Sequence, residues 1–409
     1  SEPKIVIGAG AAGLTAAAVC AERGARVLLI EKMERPGRKL RITGKGRCNV
    51  TNATFDLQGL LEHIPTNPRF LYSAFSNFMP YDTIALMEDL GVPTKIERGE
   101  RVFPVSDNAT DIVDALVRRA KNAGVQFLQG TVERLELTED GRRVQAVHLT
   151  DGRRLTCHSV AVCTGGCSYP ATGSTGDGYK LAQQAGHTLI EPVPSLVSLV
   201  SHDADCKKMM GLALKNVTLT LFEDSKAIFD EQGEMLFTHF GISGPLTLSA
   251  SSHLGDMKKH KYHAEIDLKP ALSEEQLYDR ITRDFALLAN HAAQGALVKL
   301  LPSSMQPVMV ARWGIDPATK ANQITREQKR ELVQLMKHWR VSIDARGDLA
   351  HAVITSGGVS VQEVDPKTMQ SKKAMGLYFA GEVLDVDAYT GGYNLQIAFC
   401  TAQAFANHL

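Results

Sequence analysis

The sequence predicts an α/β fold in which a doubly wound, Rossmann-like domain is interrupted by an inserted antiparallel β-rich domain and a small helical domain. Three observations support this. The chain opens with a β-branched run, a glycine turn and an alanine-rich helix; two later runs repeat a buried-strand pattern; the middle of the chain changes to short strands and then amphipathic helices. We expect the doubly wound domain at 1–190 and 345–409, the β-rich domain at 191–270 and 340–344, and the helical domain at 271–339.

The amino-terminal segment carries the pattern of a dinucleotide-binding βαβ unit. A β-branched run at 4–7 leads into Gly8, Gly10 and Gly13, and the next buried run ends at Glu31. The first glycine permits the tight turn, the second lets a pyrophosphate approach the backbone, and the third lets helix and sheet pack closely. An acid at the end of the second strand is placed to bind a ribose diol. An ordinary βαβ glycine turn is the alternative interpretation.

A basic, glycine-rich segment follows at 35–47. It holds six cationic side chains and no acid, with glycines at Gly37, Gly44 and Gly46. Such a run is often a solvated loop, but its glycines favour a backbone wrapped closely around a ligand, with cations facing phosphate. The glycine fingerprint alone does not distinguish NAD from FAD, because both use it.

Two distant segments return to the same nucleotide. A buried run at 160–163 ends in Thr164-Gly165-Gly166, and another run at 376–382 ends in glycine and acid. Two glycines then open the last helix at 391–395. The amino end of a helix stabilises negative charge, which suits a reduced flavin ring. The chain is therefore expected to leave the nucleotide domain and re-enter it near its carboxyl end.

The middle of the chain has a different periodicity. Short apolar runs separated by polar or glycine turns predict an antiparallel domain, and longer amphipathic runs predict helices. The expected strands lie at 217–222, 227–229, 235–237 and 262–268. One expected helix begins after Ser273, and two more run over 293–312 and 325–339.

Composition and length agree with a folded, water-soluble protein of more than one domain. The chain has 409 residues, of which 44% are hydrophobic and 22% charged. Lysine plus arginine and aspartate plus glutamate both number 45, so a nucleic acid or acidic partner would need a local patch.

The cysteines and the apolar runs bear on the compartment. Seven cysteines without a paired framework indicate free thiols and a cytoplasmic location. Residues 5–21 are uncharged like a signal peptide, but the three glycines of the turn interrupt them. No other run approaches the roughly 18 apolar residues of a membrane span, and no membrane partner is expected.

Several longer motifs occur along the chain: Gly8-Ala-Gly-Ala-Ala-Gly13 with Glu31, Gly37-Arg-Lys39, Gly46-Arg-Cys-Asn-Val-Thr-Asn52, Leu236-Phe-Thr-His-Phe-Gly-Ile-Ser-Gly-Pro245, Gly381-Glu-Val-Leu-Asp385 and Gly391-Gly-Tyr-Asn-Leu-Gln396. Those at 46–52 and 236–245 are not general features of dinucleotide-binding proteins. Together the motifs resemble the BaiN/RdsA (YhiN-like) family of bacterial flavoproteins, and the resemblance runs nearly end to end.

The resemblance implies a three-domain flavoprotein that holds FAD noncovalently. Family members include bile-acid double-bond reductases, dihydrouridine synthases acting on ribosomal RNA, and an oxidase of small amino-ketones. The resemblance implies pyrophosphate binding near the first glycines and the adenosine half near Glu31 and 164–166. It places the ribityl and flavin along 38–39 and 48–49, and the ribityl and the pyrimidine edge of the flavin at 381–382 and 394–395. The residues expected to bind FAD are Gly8, Gly10, Ala11, Ala12, Gly13, Glu31, Lys32, Arg38, Lys39, Gly46, Cys48, Asn49, Val132, Thr164, Gly165, Gly166, Gly381, Glu382, Gly392, Asn394 and Leu395. Lys45 departs from the family, since many relatives have glycine there.

Two side chains are candidate proton donors. Cys48 lies in an arginine-flanked, glycine-rich turn, which predicts a lowered pKa. His239 ends a predicted strand of the inserted domain. A structural role is the alternative interpretation for each.

Metal and disulfide chemistry are weaker hypotheses. Cys163 and Cys167 flank the returning glycine loop, and the histidines at 253, 260 and 263 lie among lysines, as in a solvated basic hairpin. We expect no metal. Since no second strand-glycine-helix unit appears, NAD(P)H is expected to visit the flavin transiently as electron donor.

These observations predict an FAD-dependent oxidoreductase. The favoured activity is NAD(P)H-driven reduction of a C=C bond. The family resemblance implies uridine in ribosomal RNA as substrate, and the basic segments at 35–47 and 258–263 agree with it. The alternatives are reduction of a small-molecule enone, oxidation of a small amine or amino-ketone, and a flavin-bound scaffold that binds RNA without turnover. The oligomeric state is left open.

Overall fold

The computed structural model describes residues 1–348 and 351–408. The chain splits into two compact units: a terminal unit, Ser1–Ser195 with Asp348–Leu409, and an inserted unit, Leu196–Gly347. Both are mixtures of strands and helices, numbered here in chain order.

The strands are β1 (Lys4–Ile7), β2 (Val27–Glu31), β3 (Thr51–Asn52), β4 (Thr94–Glu97), β5 (Arg101–Pro104), β6 (Gln126–Gln129), β7 (Val132–Leu137), β8 (Val144–Leu149), β9 (Arg154–Thr156), β10 (Ser159–Val162), β11 (Leu189–Ser195), β12 (Leu199–Val200), β13 (Ala213–Glu223), β14 (Lys226–Thr238), β15 (Gly241–Ser243), β16 (Tyr262–Asp267), β17 (Trp339–Ile343), β18 (Ala345–Arg346), β19 (Ile354–Val359) and β20 (Leu377–Phe379).

The helices are α1 (Ala11–Glu22), α2 (Arg38–Ile42), α3 (Leu57–Glu62), α4 (Tyr72–Asn77), α5 (Pro80–Asp89), α6 (Ala109–Asn122), α7 (Asp177–Gln184), α8 (Ala204–Lys208), α9 (Pro245–Ser251), α10 (Glu274–Leu287), α11 (Ala293–Ala296), α12 (Gln306–Trp313), α13 (Arg326–Lys337) and α14 (Tyr393–Asn407).

The terminal unit is built on a parallel five-stranded sheet in the order β20-β10-β1-β2-β6. Ile5 lies opposite Leu28 on one side and Val160 on the other. The central strands are apolar runs because a parallel sheet is covered on both faces. Helix α1 packs against α14 and α6. Strands from both ends of the chain therefore share one sheet, and the predicted doubly wound α/β fold is confirmed.

Three smaller sheets complete the terminal unit. Strands β3, β5 and β4 form one antiparallel sheet, and β7, β8 and β9 form another. Strands β11 and β19 pair antiparallel, with Ser195 opposite Ile354. The chain thus leaves this unit and returns to it through two neighbouring strands.

The inserted unit is built on an antiparallel seven-stranded sheet in the order β17-β16-β13-β14-β15-β12-β18. The expectation of two short strands at 227–229 and 235–237 was wrong, because one strand, β14, runs through both. Strand β14 pairs with β13 along its length, and the pairing shifts register between Leu214 and Val217 and again between Leu221 and Phe222. Gly233 therefore lies within a strand, where the sequence indicated a turn.

Helices α10 to α13 lie in the chain between β16 and β17 and share the core of the inserted unit's sheet. Leu277 of α10 and Leu332 of α13 are fully buried in one apolar cluster with Val341 of β17. The expected continuous helix over 293–312 was wrong: α11 ends at Ala296 and α12 begins at Gln306. Pro302 lies between them and lacks the amide that a helix interior needs.

The boundaries expected for a separate helical domain, 271–339, stay a prediction. Within the described ranges, no helix is long and apolar enough to cross a membrane.

Candidate functional site

The glycine loop between β1 and α1 is packed so closely that two of its glycines have no room for a side chain. A Cβ on Gly8 would lie 2.4 Å from the carbonyl oxygen of Cys163, and one on Gly13 would lie 1.6 Å from that of Gly8. A Cβ on Gly10 would meet nothing within 4 Å. Gly8 and Gly13 therefore hold strand, loop and helix together, and Gly10 leaves space for a ligand at the backbone.

Helix α1 presents unused amide donors to that space. Gly10 is its N-cap, no side chain caps it, and its first turn carries no acid. Ala11 and Ala12 form that turn, and their small side chains leave the amides uncovered. Unpaired N–H groups and the positive end of the helix dipole favour an anion such as a pyrophosphate.

Glu31 ends β2 with its carboxylate fixed beside the glycine loop. Its Oε2 accepts a hydrogen bond from the Ala9 amide at 2.7 Å, and its Oε1 accepts one from the Met33 amide at 3.1 Å. The remaining lone pairs can accept from two ribose hydroxyls. The neighbouring Lys32 is engaged elsewhere, since its ammonium contacts Asp177 at 2.8 Å.

The basic segment is joined to the carboxyl-terminal part of the chain by an ion pair. Lys39 Nζ donates to Glu382 Oε2 at 2.7 Å, across 343 positions of sequence. Glu382 Oε1 also accepts from the Thr355 amide at 2.7 Å. Arg38, in contrast, is exposed. Two residues predicted for one site are thus in direct contact, and Thr355 of β19 joins them.

The turn at 43–46 has an unusual left-handed backbone. Gly44, Lys45 and Gly46 all have positive φ, with Lys45 at 57°. Glycine adopts this conformation freely, whereas a lysine is strained in it. A Cβ on Gly46 would meet nothing within 4 Å, so this turn also presents open backbone.

Cys48 departs from expectation. Its side chain is 0% exposed, and burial raises its pKa to about 12, with a hydrogen bond from Thr43 opposing the shift. The predicted lowering of the Cys48 pKa was therefore wrong. The flanking arginines do not reverse the shift because Arg47 forms ion pairs with Glu97 and Asp107.

Helix α14 begins beside Asn49 as a second uncapped amino end. Gly392 is its N-cap without a side-chain cap, and a Cβ there would lie 2.8 Å from Asn49 Oδ1 and 2.2 Å from the Thr51 carbonyl oxygen. Asn49 Oδ1 is buried, with no hydrogen-bond partner in the described part of the chain. An orphaned acceptor next to a helix start without a side-chain cap is the chemistry expected where a polar ring edge binds.

The predicted residues of the first turn of α14 have different surroundings. The Asn394 side chain is used by the protein itself, since it accepts from the Ala388 amide at 2.9 Å and donates to the Ala388 carbonyl at 3.0 Å. Leu395 is half-buried against the core of the terminal unit. Asn394 thus fixes the loop before α14.

The loops that follow β10 and β20 approach the site closely through their backbone. Thr164 Oγ1 is buried without a partner among residues 1–348 and 351–408. A Cβ on Gly166 would lie 2.5 Å from Thr355 Oγ1, and Gly165 and Gly381 both have positive φ. Val132 is buried at the start of β7.

Sequence reasoning missed a buried polar network under α14. Gln396 is fully buried, and its Oε1 accepts from the hydroxyls of Thr51 at 2.7 Å and Thr83 at 2.6 Å. Its amide donates to the Phe78 carbonyl at 3.0 Å. A glutamine in the first turn of an apolar helix was the available signal. The network fixes β3 and α5 against the amino end of α14.

A second missed residue is Asp387, in the loop before α14. It is 1% exposed, and its Oδ1 accepts from Ser356 at 3.1 Å. Burial raises its pKa to about 6, and the nearby Asp385 and Glu382 add to the shift.

His239 is exposed in the turn after β14 of the inserted unit, with its ring edge-on to Phe240 at 5.0 Å. Its role as a proton donor stays a prediction.

Two histidines of the expected basic hairpin have separate partners: His260 contacts Asp224 at 2.7 Å and His263 stacks on Phe222. Among the described residues no three His, Cys, Asp or Glu side chains are placed to hold a metal ion. All seven cysteines are free.

The residues present fit FAD: two uncapped helix ends, a fixed carboxylate at the end of β2, and the orphaned polar atoms of Asn49 and Thr164. The fold and this donor set define a dinucleotide-binding protein of the doubly wound class. The HI0933-like protein Rossmann domain matches residues 2–408, and the chain belongs to that family.

Relatives of known name span the whole chain. The chain is 32% identical to a ribosomal RNA dihydrouridine synthase of Escherichia coli (strain K12), over 99% of this chain and 97% of that protein. It is 30% identical to a 3-dehydro-bile acid delta(4,6)-reductase of Clostridium scindens, over 97% and 96%. The resemblance to the BaiN/RdsA family is therefore confirmed, and the protein is an FAD-dependent oxidoreductase.

A solved structure supports the fold alone. The 3-ketosteroid delta1-dehydrogenase from Sterolibacterium denitrificans matches with a TM-score of 0.53 at 12% identity, over 99% of this chain and 98% of that one.

Proposed function

We propose that this protein is an NAD(P)H-driven reductase of a C=C bond conjugated to a carbonyl, and that its substrate is uridine in ribosomal RNA. The observation that carries the reductase assignment is the uncapped amino end of α14 beside the orphaned Asn49 Oδ1. The amino end of a helix and its dipole stabilise negative charge that develops at this point on reduction.

The residues of the terminal unit would divide the binding of FAD between them. The amides of α1 at Gly10 would hold the pyrophosphate, and Glu31 would bind the adenosine ribose. The ion pair of Lys39 with Glu382 would keep the basic segment against the returning loops. Bound FAD would supply the hydride of the reduction.

The proton that completes the reduction needs a separate donor. Cys48 holds its proton at neutral pH, because burial raises its pKa to about 12. Cys48 and His239 remain the proposed candidates for this role. NAD(P)H would bind transiently.

The proposal of an RNA substrate is supported by local charge and by relatives. Arg35, Arg38 and Lys45 of the basic segment are exposed, and none forms an ion pair with a carboxylate of the described residues. The relatives from Escherichia coli and Haemophilus influenzae are named ribosomal RNA dihydrouridine synthases, at 32% and 31% identity over nearly their full lengths. An RNA substrate of this kind would place the protein in the cytoplasm.

Mass spectrometry of ribosomal RNA tests the proposal. RNA from a strain lacking the gene should lose one dihydrouridine, and a plasmid copy should restore it. A plasmid carrying Gly10→Asp should not, because a carboxylate would occupy the space in front of the α1 amides. An unchanged dihydrouridine content in the deletion strain would refute the RNA assignment.

The relative from Clostridium scindens supports a second candidate, reduction of a small-molecule enone. Anaerobic absorption spectra distinguish the two. After NADH or NADPH has bleached the purified flavoprotein, the yellow colour should return with uridine-containing RNA and not with a 3-keto-4-ene steroid. The reverse result would favour the small-molecule enone.

A further inference from the structure

Two aromatic rings lie exposed and adjacent on the terminal unit. Phe55 is 50% exposed and Tyr81, in the first turn of α5, is 51% exposed. Their ring centroids are 6.2 Å apart with an interplanar angle of 59°. Large aromatic side chains are normally mostly buried, so an exposed pair in contact suggests a binding role.

The pair adjoins the amino end of α14. Asn52, three positions before Phe55, donates to the Gly391 carbonyl at 2.9 Å. Thr54 Oγ1 lies 3.3 Å from the hydroxyl of Tyr393, the first residue of α14. Helix α5, which carries Tyr81, packs against β3. The rings therefore lie next to the region proposed to bind the reacting end of the cofactor.

Cations accompany the rings. Arg101 lies opposite Asn52 in the sheet, and the amide of Ala53 donates to the Glu100 carbonyl at 2.7 Å. The turn that carries Arg98 is thus beside the segment leading to Phe55. Arg98 and Arg101 form no ion pair with any carboxylate of the described residues.

The acids beside the rings are used by the protein. Asp56 accepts from the Gly59 amide at 2.7 Å, and Asp82 accepts from the Met79 amide at 2.8 Å. Each carboxylate is thus fixed at the start of a helix, where the dipole offsets its charge. Arg101 Nε donates to the Arg98 carbonyl at 2.9 Å, and the remaining donors of the two guanidinium groups, which carry no ion pair among the described residues, can meet phosphate.

We propose that Phe55 and Tyr81 form a stacking platform for the unpaired bases of RNA that flank the reacting uridine. The inference rests on the proposed function and identifies how its substrate would be held. A base within a helix is out of reach of an active site, so the reacting nucleotide must leave its stack. Aromatic side chains replace the stacking that its neighbours lose, and arginines hold the backbone.

A nucleobase and an apolar ligand would need different properties of this aromatic surface. A steroid or an apolar protein segment needs apolar area, which leucine supplies as well as an aromatic ring. A nucleobase needs a flat π-face, which leucine lacks. Replacement of each ring by leucine therefore separates RNA stacking from general hydrophobic contact.

The experiment measures binding of the flavin-loaded protein to a fluorescent single-stranded RNA containing uridine, by anisotropy at fixed salt. Phe55→Leu and Tyr81→Leu should each weaken binding about ten-fold. Phe55→Tyr and Tyr81→Phe, which keep the ring, should bind within about two-fold of wild type. The matched control is Leu287→Ala, an exposed apolar side chain of the inserted unit, which should leave affinity unchanged.

The possible results distinguish failure of the stacking platform from failure of the proposed function. Unchanged affinity in both leucine variants, with dihydrouridine still made by the wild type, would overturn the platform and leave the function standing. Equal losses in the leucine variants and the control would also overturn it. If the wild type binds no RNA and the deletion strain keeps its dihydrouridine, both proposals fail.

Discussion

Helices α1 and α14 of the terminal unit begin in a different way from α10 and α13 of the inserted unit. The first two start after Gly10 and Gly392, with no side-chain cap and no acid in the first turn. The other two start with reciprocal capping boxes, in which Ser273 and Gln276 exchange hydrogen bonds, as do Thr325 and Gln328.

The two kinds of helix start serve different purposes, one the stability of the helix and the other the binding of a ligand. A capping box satisfies two of the amides that a helix leaves unpaired at its start, and it stabilises the helix alone. A glycine start leaves those amides for a ligand and gives up that stability. The buried length of α1, in which every residue from Ala11 to Cys20 is buried, provides the stability instead. Substitutions at these helix starts and in the loops beside them should therefore differ widely in their effect on the free energy of unfolding of the flavin-free protein.

The largest effect is expected from Gly13→Ala. A Cβ at this position would lie 1.6 Å from the Gly8 carbonyl oxygen, so strand and helix must separate. We expect a loss of more than about 3 kcal/mol in urea unfolding, or insoluble protein. Gly10→Ala, whose Cβ would meet nothing within 4 Å, is the matched control and should unfold near wild type. Equal midpoints for Gly13→Ala and wild type would contradict the packing argument.

The second effect concerns the loop before α14. The pKa of Asp387 is about 6 in the folded protein, against about 3.9 in an unfolded chain. The folded state therefore binds more protons between these values, and stability falls as pH rises from about 4 to about 6. Asp387→Asn removes that loss, so it should raise the unfolding free energy by up to about 3 kcal/mol at pH values well above 6 and leave it unchanged near pH 4.

Urea unfolding at both pH values checks this. Asp140, an exposed carboxylate whose pKa is lowered by hydrogen bonds from Thr138 and the Arg142 amide, is the control of opposite sign. Asp140→Asn should lose stability at neutral pH. A gain for Asp387→Asn that is the same at low and neutral pH would exclude ionisation as its cause.

The third effect tests the capped helices. Ser273→Ala and Thr325→Ala should each lower the unfolding free energy by about 1 kcal/mol, because each removes one side of a capping box. Glu327→Ala, in the first turn of α13 but outside the box, should lose only a few tenths of a kcal/mol. Thermal unfolding of the three variants and the wild type, measured at one protein concentration, checks these differences. None of these variants should change the flavin-to-protein ratio, and a fall in that ratio would show that the caps support binding.

The smallest effect on stability is expected from Gly10→Ser, which gives α1 the cap it lacks. The hydroxyl would accept from an amide of the first turn, so the flavin-free protein should change by only a few tenths of a kcal/mol. Flavin affinity should fall at least ten-fold, since the same amide and the same space are proposed to serve the pyrophosphate. The measurement is flavin content after dialysis. Full retention of flavin would show that the amino end of α1 does not hold it.

Local patterns predicted the terminal strands and helices well. The run at 4–7, the helix after the glycine turn and the strand ending at Glu31 all lie where the sequence indicated. The helix over 325–339 was found within two residues because Thr325 caps it. The failures in the inserted unit, one strand predicted as two and two helices predicted as one, arise where pairing with β13 and Pro302 override the local pattern.

The nucleotide fold, the glycine turn and the acid that follows it could be predicted from the sequence, because each depends on residues near one another in the chain. Which charges pair and which groups are buried depends on the tertiary structure. Lys39 meets Glu382 across 343 positions, and Cys48 loses the lowered pKa that its flanking arginines predicted. Desolvation and ion pairing depend on every atom around a group, and most of those atoms come from distant parts of the chain.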